Sequence, residues 1–281
     1  MTNPAQSPRS PVCPLLDKSR LQALLADNPL VGHFYCHAAV DSTMARGRAL
    51  VMAAEGHSAA ALHGTLIIAE EQTAGRGRHG RCWSSPPGAS ILATVILSRS
   101  CLPGACDAAQ LTRLAAAVPV AVRAGIAKLL PQVRIKFPND LVVEGRKLGG
   151  ILLEVCGDAV LAGFGVNCMQ ETDSFPPDLK MPATSLFLET GLLFSREELL
   201  SFIMAELAAA LETGFFSAAG DAMREYCETL GTSILVDMGE LGVEQGIART
   251  ITPEGMLGLE TASGLRYIHT AQVVRTWPAD L

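Results

Sequence analysis

The sequence predicts an α+β protein: a mixed α+β domain of roughly 200 residues followed by a β-unit of roughly 50, small enough to need support from its neighbour. Three observations carry this. Consecutive apolar runs, Leu66-Ile67-Ile68-Ala69 and SILATVILS at residues 90–98, read as strands buried on both faces. Leu111, Leu114, Ala115, Val118, Val122, Ile126 and Leu129 recur at helical spacing. From about Gly231 the chain becomes short alternating segments separated by glycine-containing turns, the pattern of a small β-barrel.

In chain order, residues 1–28 read as a disordered tail because they open MTNPAQSPRSPVCP, rich in proline and serine. Residues 30–40 read as a strand leading to Asp41-Ser42-Thr43, whose Asp and Ser suit a helix N-cap. An alanine-rich helix over 44–55 follows and ends at Gly56. GTLIIAEE at 64–71 is a strand, followed by a glycine-rich loop and the strand 90–98. The periodic helix around 111–129 is expected to kink at Pro119. VRIKFPNDLVV reads as strand, corner and strand, and KLGGILLEV and AVLAGFGVNC as a hairpin across Gly157-Asp158. Ser195 and Glu198 form a capping box for a helix carrying Leu199, Phe202, Ile203, Leu207 and Leu211. The larger α+β unit is thus placed at 29–229 and the β-unit at 230–281.

Bulk properties exclude several classes. The chain has 281 residues, 49% of them hydrophobic. Its mean hydropathy of +0.29 owes much to alanine, and the most apolar stretch is broken by Arg113, Pro119, Arg123 and Lys128, so no membrane span is expected. A net charge of −6 argues against a general nucleic-acid binder, and any basic site must be local. Eight cysteines (Cys13, Cys36, Cys82, Cys101, Cys106, Cys156, Cys168, Cys227) form no C-x-x-C pair. With no signal-peptide pattern, a reduced cytoplasmic compartment is the simpler reading. His33, Cys36 and His37 lack a second ligand cluster at zinc spacing, so no protein-held metal site is expected.

The loop EEQTAGRGRHGRCW, residues 70–83, satisfies the dinucleotide fingerprint at Gly75, Gly77 and Gly80. That fingerprint needs a helix after the third glycine, and Pro86-Pro87-Gly88 forbids one. Single-strand nucleic-acid binding would want several stacking aromatics, in a chain only 5% aromatic. Glycines that let backbone N–H groups turn toward an anion, interleaved with Arg76, Arg78 and Arg81, instead suit a mobile clamp on a small anionic ligand.

Two further stretches, Lys136-Phe137-Pro138-Asn139-Asp140 and Lys147-Leu148-Gly149-Gly150, bracket a short hairpin that can bring Asp140 near Lys147. Taken in order with Asp41-Ser42-Thr43, the 72–81 loop and Gly165-Val166-Asn167, they resemble the biotin protein ligase family. That family's GRGRxG, K-W-P-N-D, K-L-x-G-I-L and G-x-N segments all have counterparts here at similar intervals. The resemblance runs by motif from about residue 35 to 170 and by pattern through the C-terminal β-unit.

The resemblance implies a class II synthetase-like mixed-sheet catalytic domain with a small SH3-like β-barrel. It implies a ligase that joins biotin to ATP with Mg²⁺, then passes biotin from the biotinyl-adenylate to a lysine of a carboxylase carrier domain. Ser42, Thr43, Gln72, Arg76, Arg78, Lys147 and Gly150 match the family's biotin contacts. Arg78, Arg81, Trp83, Asn139, Lys147 and Asn167 match its nucleotide side, with Trp83 over adenine. Arg78, Lys147 and Asp140 match its catalytic groups, Asp140 as the base for the acceptor lysine. Two positions depart from the family: Met44 stands where Ser-Thr-Asn is usual, and Phe137 replaces a tryptophan. Met44 keeps open a lipoate or octanoate ligase of the same fold, or a non-catalytic binding protein. Forty residues precede Asp41, too few for an N-terminal winged helix, so a monofunctional ligase that does not bind DNA is expected, with a homodimer left open.

Overall fold

The structure, a computed structural model, describes residues 15–54, 59–104, 107–269 and 275–278. Its centre is a seven-stranded sheet built from β1 (Phe34–His37), β2 (Thr65–Ala69), β3 (Ser90–Ser98), β4 (Arg134–Lys136), β5 (Asp140–Val143), β6 (Arg146–Cys156) and β7 (Ala159–Asn167). The spatial order is β1-β2-β3-β7-β6-β5-β4. Only the β1–β2 pair is parallel, so the sheet is mixed, and β6 and β7 form the expected hairpin with Cys156 opposite Ala159. A second sheet holds β8 (Ser233–Asp237), β9 (Val243–Ile251), β10 (Leu257–Thr261), β11 (Gly264–Ile268) and β12 (Arg275–Pro278) in the order β11-β10-β9-β8-β12, with every pair antiparallel.

Strand alternation sorts β3 and β7 between two faces. Ile91, Ala93, Val95 and Leu97 of β3, with Val160, Ala162, Phe164 and Val166 of β7, enter the main core. That core is covered by α3 (Ala108–Ala127) and α5 (Arg196–Ala210), with α7 (Ala219–Tyr226) against α3. Gly125 brings α3 close to α5, since a Cβ there would meet the Ile203 Cα at 2.6 Å. The opposite face carries Ile67, Ile96 and Leu161, which pack under α2 (Thr43–Ala53) through Met44 and Val51. α2 packs on β2, β3 and β7 of that face.

The fold departs from the sequence reading in two places. Residues 18–25 of the expected tail form α1 (Lys18–Leu25), capped by Asp17 Oδ1, which accepts from the Ser19 and Arg20 amides. Leu21 and Leu25, one helical turn apart, are buried in the main core, which is what orders this stretch. Residues 1–14 lie outside the described residues. The strand expected over 30–40 contracts to β1, with Val40 forming a lone bridge to Gln72. α3 contains Pro119 within its 20 residues. Short helices α4 (Leu186–Thr190) and α6 (Thr213–Ser217) complete the described elements.

Candidate active site

The glycine-rich loop starts where β2 ends. The Thr73 and Ala74 amides donate to the Val40 and Asp41 carbonyls at 2.9 and 2.8 Å, tying the loop to the entry of α2. The chain then doubles back: Gly77 N–H donates to Arg81 O at 2.7 Å and Trp83 N–H to Gly75 O at 3.0 Å. Gly75 has no room for a side chain, since a Cβ would sit 2.4 Å from the Trp83 carbonyl oxygen. The tip is a single 3₁₀ turn, Arg78–Gly80, in which His79 and Gly80 take φ of 53° and 74°. No helix follows: the chain runs to a turn at Pro87-Gly88, closed by the Ala89 amide donating to Pro86 O at 3.2 Å, and enters β3, so the dinucleotide reading is excluded by the structure as well.

Register places the other groups on the same face of the sheet. Asp140 pairs with Gly150, Gly150 with Gly165, and Gly165 with Leu92. Plain alternation would turn Lys147 away from Gly150, because they are three positions apart, an odd offset. A β-bulge between Leu141 and Val142 shifts the pairing so that Val142 faces Lys147, which brings Lys147 onto the face of Asp140. Lys147 Nζ donates to Asp140 Oδ1 at 2.6 Å, and Gly150 keeps the space beside the pair open. Arg78 Nη1 donates to Asn139 Oδ1 at 3.2 Å, so the loop tip reaches the same cluster. Burial pushes the Arg78 pKa below its ordinary value, while Asp140 pulls it back up.

Trp83 lies over Gly165, where a Cβ would be 2.7 Å from the indole ring, and Lys147 Nζ is 5.8 Å from the ring centroid. The indole Nε1 is buried without a hydrogen-bond partner. Asn167 is buried: its Nδ2 donates to Thr184 O at 3.0 Å and its Oδ1 accepts from Gln170 Nε2 at 3.0 Å. Arg76, Arg81 and His79 are exposed, and the structure shows no contact bringing Arg76 into the cluster.

A second, neutral group lies two residues along β3, where Thr94 is on the same face as Leu92. Thr43 donates twice to Gln72 Oε1, from its amide at 2.7 Å and its hydroxyl at 3.0 Å. The Thr94 hydroxyl donates to Thr43 Oγ1 at 2.8 Å. Ser42 stands at the N-cap position of α2, yet its hydroxyl makes no cap bond; it is 2% exposed and has no partner. A helix cap therefore does not explain Ser42. A buried hydroxyl without a partner costs about 1–3 kcal/mol, a cost that a polar ligand would remove.

Met44 is 5% exposed and belongs to the α2–sheet core. Its Sδ would be 2.6 Å from a Cβ on Gly163, so the glycine makes the hollow that Met44 fills. Gly163→Ala is expected to cost about 1–3 kcal/mol in urea unfolding by overpacking, and most of that cost should vanish in a Met44→Ala background. Additive costs would show that the methionine is not the obstruction.

Thr94, Gly163 and Gln170 are the neighbours that sequence reasoning did not single out. The usable signals were a lone threonine within the apolar run SILATVILS and the first glycine of AVLAGFGVNC, alternate to the Gly165 already noted. Among the described residues no group of three or more His, Cys, Asp or Glu side chains gathers to hold a metal ion.

Residues 39–170 match the family described as Biotin/lipoate A/B protein ligase. The biotin–[acetyl-CoA-carboxylase] ligase of Mycobacterium tuberculosis is 32% identical over 229 residues, 79% of this chain and 82% of its own length. That of Paracoccus denitrificans is 33% identical over 216 residues, 74% of this chain and 88% of its own. The bifunctional ligase/repressor BirA of Bacillus subtilis is 35% identical over 219 residues, and the match covers 75% of this chain but 66% of that protein. The chain thus spans just under two thirds of the length of the Bacillus relatives. In fold it is similar to the biotin protein ligase from Aquifex aeolicus in complex with biotin and ATP, with TM-score 0.74 and 23% identity over 88% of this chain and 100% of that one.

Proposed function

The chain belongs to the biotin protein ligase family, and from that premise we propose that it activates biotin with ATP and transfers it to a lysine of a biotin carboxyl carrier domain. The observation that carries the reading is the pairing, on one sheet face, of a neutral polar group (Ser42, Thr43, Gln72) with a cationic cluster around Arg78 and Lys147. Biotin has the same division: a neutral ureido ring with donors and an acceptor at one end, a carboxylate at the other.

In the first step a biotin carboxylate oxygen attacks the α-phosphorus of ATP, and the bond to pyrophosphate breaks. Two anions must meet, and each unit-charge pair at about 4 Å repels by roughly 4 kcal/mol at an effective dielectric near 20. Arg78 and Lys147 offset this at the point of attack, with Arg76 and Arg81 closing from the loop. Trp83 covers the adenine, and Asn139 and Asn167 orient the nucleotide. In the second step the acceptor amine attacks the carbonyl carbon and AMP leaves. Asp140 takes the amine proton, for which it must exchange its bond to Lys147.

Mg²⁺ would neutralise phosphate charge. The oxygens of Asn139, Asp140 and Asn167 are engaged by Arg78, Lys147 and Gln170, a donor set that fits a cation held chiefly by the triphosphate.

A lipoate or octanoate ligase of the same fold is the second reading, because Met44 Sδ lies over Gly163, the residue that pairs with Thr94 beside the neutral group. The test is exchange of labelled pyrophosphate into ATP with biotin, lipoate, octanoate or no acid. Biotin-dependent exchange is expected. Exchange driven by lipoate or octanoate instead, or none with any acid, would overturn the reading.

A further inference from the structure

We propose that Thr94 is a positioning residue for ligand recognition: its hydroxyl sets the direction of the hydrogen bonds that Thr43 and Gln72 offer the ligand. The inference rests on the reading that Ser42, Thr43 and Gln72 contact biotin.

Thr94 is fully buried in the middle of β3, and its hydroxyl proton goes to Thr43 Oγ1 at 2.8 Å. Thr43 therefore spends its own proton on Gln72 Oε1, at 3.0 Å, where its backbone amide also donates at 2.7 Å. With two donors on Oε1, the Gln72 amide cannot flip, and the group it has left is Nε2–H, a donor. Thr43 Oγ1, having given its proton to Gln72 and accepted one from Thr94, has only a lone pair left. The pair thus presents one donor and one acceptor side by side, the complement of a cyclic urea with its C=O and N–H. An acyl chain ending in a dithiolane or a methyl group satisfies neither.

Thr94 also packs: its Cγ2 would lie 3.4 Å from a Cβ on Gly47 of α2. The methyl and the hydroxyl therefore have separable duties. Thr94→Val keeps the volume and loses the proton; Thr94→Ser keeps the proton and loses the methyl. Removing the hydroxyl leaves Thr43 free to rotate away from Gln72, and the loss of one such bond at a buried polar site is worth about tenfold in affinity.

The experiment measures biotin-dependent pyrophosphate exchange and the unfolding midpoint for both variants. Thr94→Val is expected to raise KM for biotin about tenfold, with kcat little changed and the midpoint held. Thr94→Ser should keep the wild-type KM and show the lower midpoint. The inference is overturned if the valine variant keeps the wild-type KM, or if KM simply tracks the midpoint across the two variants. A Thr43→Ala background adds a check that does not depend on how well either variant folds. There Thr94→Val should change KM no further, and an undiminished second effect would also overturn the inference. Absence of biotin-dependent exchange in the unmodified protein would count against the proposed function itself, so the two failures are distinct.

Discussion

Lys147→Met is expected to lower adenylate formation by about 100- to 1,000-fold, the usual loss on removing one preorganised charge contact from a transition state. The methionine keeps the length and most of the volume of the side chain, so the unfolding midpoint should hold. The size of the effect follows from position. Lys147 is the cation that the bulge in β5–β6 turns onto the face of Asp140 and Gly150, and its backbone is clamped on both sides. Its amide donates to Pro182 O at 2.7 Å and its carbonyl accepts from the Thr184 amide at 2.8 Å. A lysine held this way loses little entropy on meeting an anion, whereas Arg76, exposed on the loop, must be ordered first. Lys147→Arg should restore only part of the rate, because a planar fork does not replace a point charge in a space bounded by Gly150 and Trp83. Single-turnover formation of biotinyl-adenylate is the measurement. A methionine variant within about threefold of wild type would remove Lys147 from the first step, since a lost contact of this kind costs far more.

The bulge also shows where the sequence stops being informative. The strands and hairpin around Lys147 are legible in KFPND and KLGGILLEV, because alternation, glycine and a corner proline are local signals. Which face Lys147 takes is not legible, since one residue of slip reverses it and the slip is decided by pairing with β5. Ser42 illustrates the same limit. Asp-Ser-Thr before a helical run reads equally well as a cap, and only the unpartnered hydroxyl in the folded chain separates the two readings. Met44 shows a related limit: the sequence places it next to Thr43, and only the fold shows its side chain under α2 against Gly163, the residue that pairs with Thr94. α1 was missed because a proline-rich lead-in set the expectation for the whole segment, although Leu21 and Leu25 carry the helical spacing.

Arg196→Met is expected to destabilise the protein by about 3–5 kcal/mol, because it leaves the Glu70 carboxylate buried without its charge partner. The side chains of the pair are 4% and 9% exposed, and Arg196 Nη1 donates to Glu70 Oε2 at 2.8 Å and to Ser90 O at 3.1 Å. Glu70 in turn accepts from the Leu16 amide at 2.5 Å, and its own carbonyl accepts from Gly88 at 3.0 Å. One ion pair therefore joins the first turn of α5, the end of β2, the start of β3 and the segment entering α1. Against a typical domain stability of about 5–15 kcal/mol, a loss of this size is a large fraction of the whole. The double variant Glu70→Gln, Arg196→Met should recover part of it, since the buried charge is gone and only polar groups remain to be satisfied. Urea unfolding of the two single variants and the double variant measures the cycle. Glu70 stands two residues before Gln72, so the arginine variant should also weaken biotin binding at temperatures where it is still folded. A midpoint unchanged from wild type in Arg196→Met would mean that water reaches Glu70, and that packing of Leu21 and Leu25 against the core holds these four segments together instead.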